Sequence, residues 1–201
     1  MEAAMREAWI LVMAALALGQ GVNSNSSQSF EQPFAEGGVV TLRLSPGDYF
    51  VRAGDSAHVT AHWYPVDVAD TDEMKKVKVR AEASGNAMTI RTDGPTKKAR
   101  MIIELPQHSD LRMRLRAGDV RIVGIEGNKN ISMTAGDLVI EGTPASYSHV
   151  HASVTFGDLR AQPLGINKDG IRNSFNWSGS GKYTLDASLF AGDLTMRTPL
   201  K

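Results

Sequence analysis

Cysteine is absent from the 201-residue chain. That absence excludes disulfide scaffolds, thiolate zinc sites, iron–sulfur clusters, cysteine nucleophiles and a lipidated N-terminal cysteine. An excess of charge is missing too: Lys+Arg is 22 and Asp+Glu is 22, a formal net charge of zero. With no long-range basic field to collect it, nucleic acid is not an expected partner, nor is a polyanion in general. Aromatic residues make up only 6%, which suits a narrow core. No G-x-S-x-G elbow, H-E-x-x-H, P-loop or GxGxxG after a strand occurs, so no catalytic residue, metal or cofactor is expected. What is present is ordinary for a globular protein, with 42% apolar and 22% charged residues.

The longest apolar run is Ala8 to Leu18, AWILVMAALAL. It is shorter than the roughly 20 residues needed to cross a bilayer and has the length of a signal-peptide core. Small residues follow, in Ala15-Leu16-Ala17 and Gly19-Gln20-Gly21. Glu2 and Glu7 flank Arg6, so a start at Met5 rather than Met1 gives a better charged end. Residues 1–22 are therefore expected to be an export signal. Residues 23–33, opening on the polar NSNSSQS, are expected to be a linker, and 34–201 the mature domain. No second long apolar run exists to anchor the chain after cleavage. The expected address is periplasmic, envelope or extracellular.

One dipeptide organises the rest. Gly47-Asp48, Gly118-Asp119, Gly136-Asp137, Gly157-Asp158 and Gly192-Asp193 each sit between two stretches of period-two alternation. Before Gly118 the apolar positions are Leu111, Met113 and Leu115, and after it Val120 and Ile122. Before Gly157 they are Val150, Ala152 and Val154, and after it Leu159 and Ala161. Such alternation marks strands with one buried face. Glycine permits positive φ or close backbone approach, and aspartate caps local donors, so the pair reads as a structural corner. The spacings Gly118–Gly136 and Gly136–Gly157 have the size of a solenoid rung. The expected fold is an all-β, single-stranded β-solenoid with short rungs. A β-sandwich is the alternative, but it gives no reason for one dipeptide at one phase. The Gly157–Gly192 interval is longer and holds the Gly/Asn/Ser-rich segment 165–182. Further strands are expected at His58–Tyr64, Lys76–Ala83, Ala87–Thr92 and Arg100–Leu105, with a helical turn only near Asp70–Lys78.

Three segments carry a family resemblance: FAEGGVVTLRLSPGDYFVRAGD, IIELPQHSDLRMRLRAGDVRIVGIEGNKNISMTAGDLVIEG and GSGKYTLDASLFAGDLTMRT. From about Phe34 to Thr198 the chain resembles the putative adhesin family of bacterial exported proteins. The resemblance implies a right-handed β-solenoid with an envelope or extracellular address. It brings no catalytic residues.

Several side chains could carry chemistry. Stacked Asp119, Asp137, Asp158 and Asp193 could bind calcium, but the denser repeat that does so is absent, so turn capping is expected. His149 with His151, and His58 with His62, lack a third ligand and read as solvated pairs. Arg112, Arg114 and Arg116, with Arg121 nearby, form a basic stripe that could meet an anionic polysaccharide or lipid head group, or simply face solvent. Phe175 and Trp177 could contact a ligand, though covering the wall is the favoured reading. The expected function is a non-enzymatic, adhesin-like binding or structural protein with an envelope component or glycan as partner. The alternatives are a small polysaccharide-processing enzyme and an envelope-stress accessory protein.

Overall fold

The structure is a computed structural model, which describes residues 28–54 and 57–199. The expected signal segment, residues 1–22, lies outside them. Among the described residues no helix is long and apolar enough to cross a membrane.

In chain order the strands are β1 (Gln28–Pro33), β2 (Val39–Leu44), β3 (Asp48–Ala53), β4 (His58–Pro65), β5 (Lys78–Ser84) and β6 (Ala87–Asp93). They continue with β7 (Ala99–Leu105), β8 (Asp110–Ala117), β9 (Val120–Val123), β10 (Lys129–Ala135), β11 (Leu138–Glu141) and β12 (Tyr147–Phe156). The last are β13 (Leu159–Ala161), β14 (Ile166–Lys168), β15 (Ile171–Ser178), β16 (Tyr183–Ala191) and β17 (Leu194–Arg197). Among the described residues the one α-helical turn is α1 (Thr71–Met74), which buries Met74.

The strands form two mixed sheets. One has nine strands in the order β1-β4-β7-β3-β9-β11-β17-β13-β14, the other eight in the order β15-β12-β16-β10-β8-β2-β6-β5. Strands joined by a corner lie in different sheets, and the pairs stack in one order in both: β6/β7, β2/β3, β8/β9, β10/β11, β16/β17, β12/β13. Neighbouring pairs run parallel in each sheet. Antiparallel strands close the ends: β4 then β1, and β5, at one end, β14 and β15 at the other. Capping strands of this kind hide the unpaired backbone groups an edge would present.

Two sequence expectations need correction. Pairs adjacent in sequence are not always adjacent in space, because β16/β17 slots between β10/β11 and β12/β13. The long Gly157–Gly192 interval thus contains the β14 and β15 edge strands, after which the chain returns inside the stack. The segment read as linker also differs: Gln28–Pro33 is strand β1, on the β4 edge. Its Phe30 packs on the core and Gln28 Oε1 accepts from Trp63 Nε1 at 3.1 Å. One apolar residue in a polar run was too weak a signal to read as a strand.

The core lies between the sheets, where the alternating positions meet. One registered row runs Ile90, Leu42, Met113, Ile131, Ala187, Ala152, each no more than 1% exposed. Facing it, Ile103, Val51, Ile122, Ile140, Met196 and Ala161 form the matching row of the other sheet. Each such large side chain contributes roughly 1.5–3 kcal/mol on burial. Since every pair buries the same kind of surface, the stack presents its outward residues in straight, registered rows.

Candidate functional site

At the corners the Gly-Asp pairs form a continuous edge ladder. Asp119 N–H donates to Asp48 Oδ1 (3.3 Å), Asp137 N–H to Asp119 Oδ1 (2.9 Å), Asp193 N–H to Asp137 Oδ1 (3.0 Å) and Asp158 N–H to Asp193 Oδ1 (3.0 Å). The glycines permit the close stacking. Gly118 has φ +129°, and a Cβ there would fall 1.9 Å from the Gly47 carbonyl oxygen; Gly136 has φ +112° and would meet Gly118 O at 2.1 Å. The aspartates therefore spend a carboxylate oxygen on backbone donors. Among the described residues no group of three or more His, Asp or Glu side chains is placed to hold a metal ion.

The outer face of the eight-stranded sheet carries the candidate site. Alternation puts Arg112, Arg114 and Arg116 on the outward side of β8, all exposed. Register then adds residues far away in sequence. Arg114 pairs with Arg43 of β2, Arg43 with Arg91 of β6, and Arg91 with Arg80 of β5. On the other side of Arg114 the same row continues through Ser132, Ser188, Ser153 and Ser174. One line across the sheet thus holds four arginines followed by four serines. Adjacent strands lie about 4.8 Å apart, so the arginine half spans about 14 Å.

None of Arg43, Arg80, Arg91, Arg112, Arg114 and Arg116 makes an ion pair or side-chain hydrogen bond among the described residues. An open trough of about 630 Å³ lies on this face, lined by Arg43, Arg91, Arg114, Arg116, Ser132 and Thr134 among others, with Asp93 as its one carboxylate. Beyond Thr134 the face ends in an exposed aromatic pair, Phe190 and Phe156, edge to face at 5.3 Å. Zero net charge led the sequence reading away from polyanions. The fold segregates charge, so a neutral chain still presents a cationic surface.

Other residues weighed from sequence sit elsewhere. Arg121 is not part of the stripe: it is across the corner on β9, in the other sheet, where it donates to Glu141 from Nε (2.9 Å) and Nη2 (2.6 Å). Phe175 is 7% exposed, opposite Ala152 on the β12 edge, and Trp177 is half-buried against the same core. Both lie on β15, the strand at the end of the eight-stranded sheet. His151 Nδ1 lies 2.8 Å from Asn176 Oδ1, while His149 is exposed. On the other sheet His58 approaches Glu31 at 3.9 Å.

Sequence reasoning missed a polar centre at the opposite edge. Glu141 is 3% exposed, and its Oε1 also accepts from Arg197 Nε (2.9 Å) and Nη2 (2.7 Å). Burial works to raise its pKa, but the hydrogen bonds from Arg197 and Arg121 outweigh that and hold the carboxyl below its ordinary range. Lys129 is stranger. It occupies an inward position between Leu111 and Leu185 and is 2% exposed. Its Nζ donates to Gly127 O at 3.1 Å and lies 5.1 Å from the centre of the buried Tyr147 ring. Burial pushes its pKa down to about 8, against the opposing pull of Asp110 and Glu126. Burial likewise pushes the Tyr147 phenol up to about 12. Lys129, Tyr147 and Glu141 share a cavity of only about 70 Å³. That is room for a water or two rather than a substrate. Extending the alternation back from Ile131 would have flagged Lys129.

No protein-family model matches the chain, and no curated protein matches it. Among solved structures it is similar to a putative cell adhesion protein from Clostridium sporogenes ATCC 15579, with a TM-score of 0.51 and 13% identity over 86% of this chain and 100% of that one. It also aligns with a putative adhesin from Bacteroides fragilis NCTC 9343, with a TM-score of 0.36 and 11% identity over 87% of this chain and 98% of that one. It is the fold that the chain shares with the first of these.

Proposed function

We propose that the protein is a non-enzymatic, exported, adhesin-like binding module whose contact surface is the outer face of the eight-stranded sheet. Its partner is a polyanionic component of the cell envelope or exterior. The observation that carries this reading is the registered row Arg80, Arg91, Arg43, Arg114, with no acidic partner on any of the four among the described residues. The matched stacking order of the two sheets supports reading the domain as a short right-handed β-solenoid with its rungs out of sequence order. A solenoid suits the role, since its flat repeated wall presents one chemistry over a long span. A polysaccharide-processing enzyme would need two carboxylates facing one groove, about 5–9 Å apart. The trough offers Asp93 alone.

The test uses the near-neutral isoelectric point, about 7.0. At pH 7 the protein should bind a carboxylated cation exchanger through this face and elute with moderate salt. The Arg43→Glu/Arg114→Glu variant should pass straight through. Equal elution of the two proteins would defeat the assignment of the face. Export is tested separately: N-terminal sequencing of the protein from its host should begin between Ala17 and Ser24.

A further inference from the structure

We propose that the arginine half of this face holds a linear acidic polysaccharide, laid across the strands so that successive sugar carboxylates meet successive arginines. This rests on the polyanion reading above and names the class of polyanion. The guanidinium fork matches a carboxylate with two parallel hydrogen bonds, which an ammonium cannot do. Here the forks come one per strand at a single register, through Arg80, Arg91, Arg43 and Arg114. They form a line about 14 Å long at a strand spacing of about 4.8 Å. A line of charge fits a chain.

A lipid surface presents its charge in two dimensions and is best held by cations with apolar side chains interspersed for insertion. No apolar side chain separates these arginines along their row. The row continues instead into serines, whose hydroxyls donate to and accept from uncharged sugar hydroxyls. Arg116 and Thr134 add a parallel wall to the open trough. Past Thr134, the exposed Phe190 ring provides the apolar face on which a pyranose can stack.

The experiment is calorimetric titration of the protein with galacturonate oligomers of two to eight sugars, with neutral galactose oligomers of the same lengths, and with vesicles of phosphatidylcholine containing phosphatidylglycerol. Affinity should rise with galacturonate length until the oligomer spans the row, then level off, and neutral oligomers should not bind. Arg43→Gln/Arg114→Gln should weaken binding at least tenfold with an unchanged denaturation midpoint. Lys75→Gln, at the C-cap of α1, should bind as the parent does. Arginine-dependent binding to vesicles without binding to galacturonates would overturn the polysaccharide assignment and leave the polyanion reading standing. Binding to neither would overturn both. Galacturonate binding that ignores oligomer length, or survives loss of both arginines, would overturn the placement along the row.

Discussion

Replacing Lys129 by methionine should stabilise the protein, and the size of the gain follows from its surroundings. The side chain sits in an inward row between Leu111 and Leu185, where its ammonium has one hydrogen bond, to Gly127 O, and the Tyr147 ring. Burial lowers its pKa from 10.5 to about 8, a difference of about 2.5. At about 1.36 kcal/mol per unit, holding the charge inside costs roughly 3 kcal/mol at pH 7. The sign follows from proton binding. Between pH 8 and 10.5 the unfolded chain holds the proton more tightly than the folded one, so stability rises with pH. Most of that cost should be recovered by pH 10. Above pH 10 the window closes, because the buried Tyr147 phenol, pushed up to about 12, stays protonated while the unfolded one ionises. Urea denaturation at pH 7, 8, 9 and 10 reads the effect directly. The parent should gain stability across that range. Lys129→Met should start about 3 kcal/mol higher, roughly 6–12 °C in melting temperature, and lack the gain. A parent with flat stability from pH 8 to 10, and a variant no more stable than it, would refute the reasoning.

Gly136→Ala should cost roughly 3 kcal/mol or more, because it forces a Cβ against the Gly118 carbonyl at positive φ; the outward Thr134→Ala should change stability by less than about 0.5 kcal/mol. Trp177→Ala should cost about 2 kcal/mol of unfolding free energy in urea denaturation, less than the roughly 3–5 of a fully buried aromatic, since the indole is half-buried. Glu141→Gln should destabilise by about 2 kcal/mol at pH 7, as two guanidiniums lose a shared countercharge. Glu141 ionises more readily folded than unfolded, so its contribution is present above the ordinary carboxylate pKa and lost as pH falls through the folded one. Below that range the parent and Glu141→Gln should converge in acid titrations followed by circular dichroism.

Strands and corners were legible because each rests on a local rule. Alternation over Leu111, Met113 and Leu115 fixes a buried face without reference to any partner, and the Gly-Asp pair marks where that face changes sheet. The stacking order was not legible, because every pair buries aliphatic side chains of similar size and no local feature tells β16/β17 which neighbours to take. The polar centre was hidden for another reason. Glu141 follows Ile140 and so falls on the outward side of its strand, where sequence reads exposure. Only register reveals that Arg121 and Arg197 flank it on the neighbouring strands and cover it.

The arginine row shows how stacking order becomes function. Arg43, Arg80, Arg91 and Arg114 are scattered over the chain, and each alone reads as one outward charge on an amphipathic strand. They align because β2 lies between β6 and β8, an order that skips the sequence. Net charge could not report this, since it sums over both sheets and all edges, whereas screening confines a surface charge to about 8 Å at physiological salt. At that range a ligand over the arginine half of the sheet meets the forks and the carboxylates of that same face, Glu82 and Asp93, but not those stacked along the corner edge. Placing β2/β3 anywhere else in the stack would leave the composition untouched and break the row. What the ligand reads is therefore the order of the strands.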